Sequence, residues 1–285
     1  MWNIRHSLHA IKSERLNTAV VILFGRMMSA RANSIIYNSR TSSRQHERFG
    51  YCCTNSDYIP NGFDCSEYKP DEGSRSKLIH ELSLDADSLI IGHAGRYHRM
   101  KDHKTMLIAA SFLAKLYGKA HFVFVGSGVN GNNLELANLI NEYALNGRVS
   151  LLGERKDLSG IYPALDLFVS SSYSESFSNV VAEAMSCGIP CVVTDVGDLA
   201  SIVNDTGYVV STGDPYALAN AIKKMIVMGS EKRAKLGSMA RARIKEHYSL
   251  DRILNKYEAI YQKLISEPDK SLNKYNKVVE RSGVL

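Results

Sequence analysis

The stretch FVFVGSGVNGNNLE, Phe122 to Glu135, runs from four apolar residues through a glycine-rich turn into the start of a helical pattern. Gly126, Gly128 and Gly131 spell G-x-G-x-x-G, and Glu154 follows at about the 20-residue distance where an acid meets a ribose 2′-hydroxyl in a dinucleotide fingerprint. Strand, glycine turn and helix in this order imply an α/β unit, and the fingerprint raises an NAD-dependent oxidoreductase. That reading needs the glycine loop after the first strand of its unit. Here a complete strand–helix unit, Leu89 to Gly118, comes before it, and no hydride-transfer constellation follows.

Outward from this stretch the pattern repeats. Short β-rich apolar runs lie at 89–95, 121–126, 149–153, 165–171, 191–196 and 207–211, with helical periodicity at about 102–117, 132–146, 157–164, 179–187, 198–204 and 214–228. Apolar strands alternating with amphipathic helices predict βαβ units and a Rossmann-like parallel sheet with helices on both faces. Local signals agree: Asp214-Pro215 starts a helix, and Gly188 with Pro190 stops one. The first 60 residues look different. Residues 2–30 read as one or two helices, 32–50 as a short strand and then a helix, and 57–64 as a strand ending in a turn at Asn61-Gly62. Lys69 to Lys77 reads as a polar linker, Ser249 to Ile265 as a strong amphipathic helix, and the end as a polar tail.

Composition bounds the function. With 285 residues and 45% hydrophobic content the chain can bury a real core. A net charge of +6 suits phosphorylated substrates or an anionic membrane surface as well as nucleic acid. Much of the excess lies early, in Arg5, Lys12, Arg15, Arg26, Arg31, Arg40, Arg44 and Arg48. The five cysteines lack C-x-x-C spacing and read as free thiols of a reducing cytoplasm. The apolar run Thr18 to Gly25 is too short to span a bilayer.

Ligands of open α/β sheets bind at the carboxyl ends of the strands, so the loops there carry the chemistry. Gly95 to His103, GRYHRMKDH, holds Arg96 and Lys101 five positions apart at a helix entrance. It is either a phosphate site or a solvated basic loop. His98, Arg99 and His103 read as bystanders. Ser170 to Pro190, SSSYSESFSNVVAEAMSCGIP, holds Glu175 and Glu183 separated by seven residues. Glu175 lies in a serine-rich loop, and Glu183 lies about one turn into the following helix. Paired carboxylates there suit sugar hydroxyls, and the amides of Ser178, Asn179 and Val180 suit an anion. The blander account makes Glu175 a helix-entry acid and Glu183 a surface residue, but VVAEAMSCG is so apolar that an unpartnered Glu183 would be costly.

These stretches, with IPNGFD, VGSG, LLGE and VTDVGD, resemble glycosyltransferase family 4 from about Trp2 to Ile265, and WNIRHSL and IIYNSR resemble its bacterial surface-polysaccharide members. The resemblance implies the GT-B fold of two Rossmann-like domains and retaining transfer from a nucleotide-diphosphate sugar, UDP-linked, with no cofactor and no metal. It assigns Arg96 and Lys101 to the donor diphosphate, Glu175 to the donor sugar, and the amides of Phe177, Ser178, Asn179 and Val180 to sugar and phosphate. Glu183 takes the ribose. Glu154 and Arg155 line the base pocket, and Gly126 turns the backbone beside it. The implied partners are the donor and a lipid-linked saccharide acceptor, with peripheral contact at the inner membrane face and no nucleic acid.

The implied organisation is a remnant of an N-terminal acceptor-side domain (1–63), a nucleotide-sugar-binding domain (64–248), a helix packing back (249–267) and a polar tail (268–285). Most of the N-terminal domain is expected to be missing, so a truncated, non-catalytic nucleotide-sugar-binding protein is the alternative. A metal-dependent GT-A enzyme would need an Asp-x-Asp at the ligand edge. Asp85 to Asp87, DAD, precedes a strand instead and reads as a turn.

Overall fold

The computed structural model describes residues 1–8, 11 and 16–266. The expected tail lies outside the described residues, as does part of the segment read as the first helices. A six-stranded parallel sheet is built from β4 (Leu89–Ala94), β5 (Ala120–Val125), β6 (Val149–Leu151), β7 (Leu167–Ser170), β8 (Cys191–Thr194) and β9 (Gly207–Val210), in the order β6-β5-β4-β7-β8-β9. The six predicted apolar runs supply these six strands. Every residue of β5, β7 and β8 is buried, which is why those runs are continuously apolar rather than alternating.

Helices cover both faces of this sheet. One face packs against α7 (Asn179–Ser186) and α10 (Ser230–Tyr248) through Ile90, Val181, Met185, Ala240 and Ile244. The other packs against α4 (His103–Leu116), α5 (Leu134–Glu142) and α9 (Pro215–Val227) through Met106, Leu113, Leu136, Leu218 and Ile222. Strand order reverses between β4 and β7. A crevice opens there because the connections leave in opposite directions, and such crevices take ligands.

A second parallel sheet, β1-β2-β3, consists of β1 (Trp2–Ile4), β2 (Ile35–Tyr37) and β3 (Ser56–Tyr58), with α1 (Leu16–Met28) and α2 (Arg40–Phe49) in the connections. Trp2–Ile4 corrects the helical reading of the first residues. Pairing with the fully buried β2, including Trp2 N to Ser34 O at 2.9 Å, makes it a strand. Strand preference is set by such neighbours more than by local sequence. β3 stops at Tyr58 rather than running to the turn at Asn61-Gly62.

Two further corrections concern helices. Residues 69–77, read as a linker, largely belong to α3 (Glu72–Leu82), entered from Asp71, which accepts from Ser74 Oγ at 2.6 Å. Only Ser74 and Leu78 of this helix are buried, so its apolar stripe is too thin to see. Likewise α10 was not anticipated. Its buried side is Arg233, Gly237, Ala240, Ile244 and Tyr248, a stripe whose first half is polar or small and in which Ile244 is the one large aliphatic residue.

The last helix, α11 (Leu250–Ser266), returns to the small sheet, where Ile253 is 3% exposed against Ile36 and Ile59. Removing that side chain leaves a cavity between helix and sheet. Ile253→Ala is expected to cost about 2–4 kcal/mol in urea unfolding.

Candidate functional site

The loops after β4, β5 and β6 are laced together by backbone hydrogen bonds. Gly95 N reaches Val125 O at 2.8 Å, Tyr97 N reaches Ser127 O at 2.7 Å, and Gly126 N reaches Gly153 O at 2.8 Å. Gly126 lies so close beneath this ladder that an added Cβ would stand 2.9 Å from Arg96 N and 2.5 Å from the Gly95 carbonyl carbon. The first glycine of the fingerprint therefore seats the Arg96 loop. The third, Gly131, meets nothing within 4 Å, which removes the helix–strand packing role a dinucleotide site demands of it. Asp87 pairs with Lys119 ahead of β4, and Asp85 O accepts from Ser88 N at 3.0 Å, so the Asp-x-Asp stretch is a turn away from the ligand edge.

The loop after β7 meets the loop after β4 at the switch point. Ser171 Oγ lies 3.0 Å from the carbonyl oxygens of Lys101 and Asp102, and Tyr173 N donates to Met100 O at 2.7 Å. On this base Lys101 Nζ forms an ion pair with Glu175 Oε1, which also accepts from Ser172 Oγ at 2.8 Å. Lys101 and Glu175 are 20% and 11% exposed. Arg96, at the start of the same loop as Lys101, is exposed.

The α7 N-terminus follows at once, and Ser178 there makes no side-chain capping bond. Its buried hydroxyl has no partner among the described residues. The loop after β7 thus carries a carboxylate paired with a cation, Glu175 with Lys101, and, three residues on, the uncapped start of a helix. This arrangement can hold an anionic group and orient hydroxyls beside it.

The remaining predicted residues divide by surroundings. The Phe177 side chain is core, stacked on Phe63 at 6.0 Å and edge-on to Tyr248 at 5.8 Å, and Val180 packs partly against the same core. These two offer only backbone amides. Asn179 is exposed and accepts from Asn61 Nδ2 at 2.7 Å. Glu154 is exposed, whereas Arg155 is committed to Asp157 at 2.7 Å and Glu81 at 2.6 Å, which hold its guanidinium above the ordinary value. Arg155 lines a cleft of about 400 Å³ with Glu81, Asp157 and Ser159. His103, at the head of α4, is packed against His93 at 4.9 Å and held neutral, its pKa lowered to about 4 by burial.

Glu183 is half-buried on α7 and accepts a 3.0 Å hydrogen bond from the Tyr162 hydroxyl. Burial raises its pKa, with the Tyr162 bond opposing. A raised carboxyl pKa means the folded state holds the proton more tightly than the unfolded chain. The cost is thus fully present above the folded pKa and is relieved as pH falls through it. Glu183→Gln can keep the Tyr162 bond, and it is expected to raise the thermal midpoint by about 1–3 °C near pH 8. The gain should shrink on acidification, as paired melts near pH 8 and near pH 5 would read.

Sequence reasoning missed Tyr162. It also missed three polar groups just beyond the small sheet's strands. Ser7 Oγ donates to Glu175 O at 2.7 Å, Ser176 Oγ to Asn38 Oδ1 at 2.9 Å, and Asn61 to Asn179 as above. These contacts set the carboxyl ends of the two sheets facing each other, with no periodic trace in the sequence.

Two parallel α/β sheets meeting by their ligand-binding edges, with a last helix crossing back, form the fold of GT-B glycosyltransferases. Residues 88–227 match the family described as "Glycosyl transferases group 1", so this stretch is a glycosyltransferase group 1 domain. A D-inositol 3-phosphate glycosyltransferase of Mycobacterium tuberculosis is 31% identical over 235 residues, 80% of this chain and 46% of that protein. The chain thus spans about half the length of the curated relatives it matches. Among solved structures, Anabaena HepE in complex with UDP has a TM-score of 0.80 at 27% identity, covering 92% of this chain and 71% of HepE. The sucrose-phosphate synthase of Thermosynechococcus elongatus has a TM-score of 0.79 at 26% identity, covering 91% and 64%.

Proposed function

We propose that the chain binds a nucleotide-diphosphate sugar, UDP-linked, at the crevice between β4 and β7 and transfers its sugar with retention of configuration. The reading is carried by the Lys101–Glu175 pair, which joins the two motif loops across 74 positions beside the α7 N-terminus. Likeness to HepE, which has been solved with UDP and with UDP-glucose, supports the donor class.

In this reading Arg96, Lys101 and the uncapped α7 amides hold the diphosphate. Negative charge grows on its outer oxygen as the bond to the sugar's anomeric carbon breaks, and fixed cations stabilise that charge without reorganisation. The acceptor oxygen bonds the anomeric carbon from the same face, and its proton passes to the departing phosphate oxygen. Glu175 orients sugar hydroxyls, Glu183 takes the ribose hydroxyls, and Gly126, Glu154 and Arg155 border the nucleotide. This chemistry draws on the chain's own cations, with no cofactor and no metal.

The acceptor is proposed to be a lipid-linked saccharide in surface polysaccharide assembly at the cytoplasmic membrane's inner face, in keeping with the family 4 resemblance and without nucleic acid. No helix among the described residues is long and apolar enough to cross a membrane. α1 nevertheless exposes Val21, Phe24 and Met27 beside Arg26 and Arg31, a pairing that suits an anionic lipid surface.

Calorimetric titration with UDP-, GDP- and ADP-sugars tests the donor. Binding of UDP-sugars over the others is expected, and no binding of any of them overturns the proposal. Arg96→Ala and Glu183→Ala should each weaken that affinity by roughly tenfold. Release of UDP from the bound donor, with or without acceptor, separates the enzyme from a purely binding protein.

A further inference from the structure

Asp198, in the turn after β8, is 4% exposed, and its carboxylate is spent on the other sheet. Oδ1 accepts from Ser39 Oγ at 2.9 Å and Thr41 N at 3.0 Å, and Oδ2 accepts from Arg40 N at 2.8 Å. Ser39 Oγ in turn accepts from Ser42 N at 3.1 Å. The first amides of the ten-residue helix α2 are thus satisfied largely by a carboxylate that lies 159 positions from Ser39.

The same turn holds the Glu175 loop. Thr41 Oγ1 donates to Gly197 O at 2.8 Å. Gly197, at φ +56°, leaves room for the carbonyl oxygens of Glu175 and Ser176, each 2.5 Å from where a Cβ would stand. Asp198 N donates to Ser176 O at 3.3 Å. A continuous path of contacts therefore leads from the α2 N-terminus, through Gly197 and Asp198, to the backbone of Glu175, whose side chain pairs with Lys101.

We infer that Asp198 is a positioning residue, which uses the seated N-terminus of α2 to set the Glu175 loop that reads the transferred sugar. The inference rests on the donor reading above. It goes beyond that reading in making sugar recognition by the large sheet depend on docking of the small one. The ribose and base end of the site, at Glu183, Glu154 and Arg155, lies outside this path. Loss of Asp198 should therefore affect the sugar more than the nucleotide.

The test is calorimetric titration of the full chain with UDP and with UDP-glucose. Asp198→Asn sets an amide N–H₂ against a fixed N–H donor, so it breaks the seating without changing shape. Affinity for UDP should stay within about twofold of wild type, while affinity for UDP-glucose falls about five- to tenfold. Thr41→Val, which loses only the bond to Gly197 O, should shift the same ratio by about two- to threefold, and it decides the matter if Asp198→Asn does not fold. An equal loss for both ligands, as from a helix cap that merely supports the fold, overturns the inference, and so does an unchanged ratio. Failure of the wild-type chain to bind either ligand overturns the donor reading, and this inference with it, before any variant is compared.

Discussion

Lys101→Ala is expected to abolish most sugar transfer, lowering kcat by about 10²–10³ and donor affinity by roughly tenfold. Two losses combine. The cation that would face the leaving diphosphate is gone, and Glu175, at 11% exposure, keeps Ser172 as a hydrogen-bond donor but loses its counter-charge. An uncompensated, mostly buried carboxylate also destabilises the fold, by roughly 1–3 kcal/mol in urea unfolding. Lys101→Arg restores the charge but not the shape, because the lysine stem lies flat over Gly95, with Cδ 3.1 Å from where a Cβ would stand. It should regain stability before it regains rate. Rates of UDP release, measured beside calorimetric affinity, separate the two. A turnover in Lys101→Ala equal to wild type would sink the assignment.

Gly126→Ala is expected to be the most damaging single methyl group near the site, costing roughly 2–4 kcal/mol and with it nucleotide binding. The atoms in its way are the backbone of Gly95 and Arg96 rather than the end of a flexible side chain, and its φ of +151° is one that residues with a Cβ rarely adopt. Any accommodation must push the Arg96 loop away from the switch point. Gly131→Ala, in the same written motif, meets open space and should change stability by less than about 0.5 kcal/mol. Urea unfolding of the two variants beside wild type reads the contrast. Equal effects would mean that the motif acts as a unit, as it does in a dinucleotide site.

That contrast marks how far the letters could be trusted. The glycine spelling suggests NAD, yet only Gly126 and Gly128 press on the neighbouring β4 loop while Gly131 meets open space, and the motif follows β5, not the strand where a dinucleotide fingerprint belongs. The Arg96 and Lys101 loop and the Glu175 to Glu183 segment were readable, because each directly follows an apolar run and their residue types are informative by themselves. Their pairing was not readable. Arg155, expected to line the base pocket, is tied to Glu81 and Asp157, one of them 74 residues away, and nothing in the sequence marks those partners. Glu183 needed a partner on physical grounds, but nothing marked Tyr162 as that partner.

By itself the sequence determined the six-stranded parallel sheet, the helices that alternate with its strands and the loops at its carboxyl edge. Buried strands and amphipathic helices write their periods directly into the chain, and glycine, proline and aspartate punctuate them. Only the tertiary structure decided that Trp2–Ile4 is a strand, that residues 72–82 and 230–248 are helices, and that Lys101 meets Glu175 while Asp198 caps α2. Each of these depends on one surface pressed against another. A strand three residues long, a helix with two buried side chains and a carboxylate serving a helix more than 150 positions away have no period of their own, so their stabilisation exists only once the partners are in place.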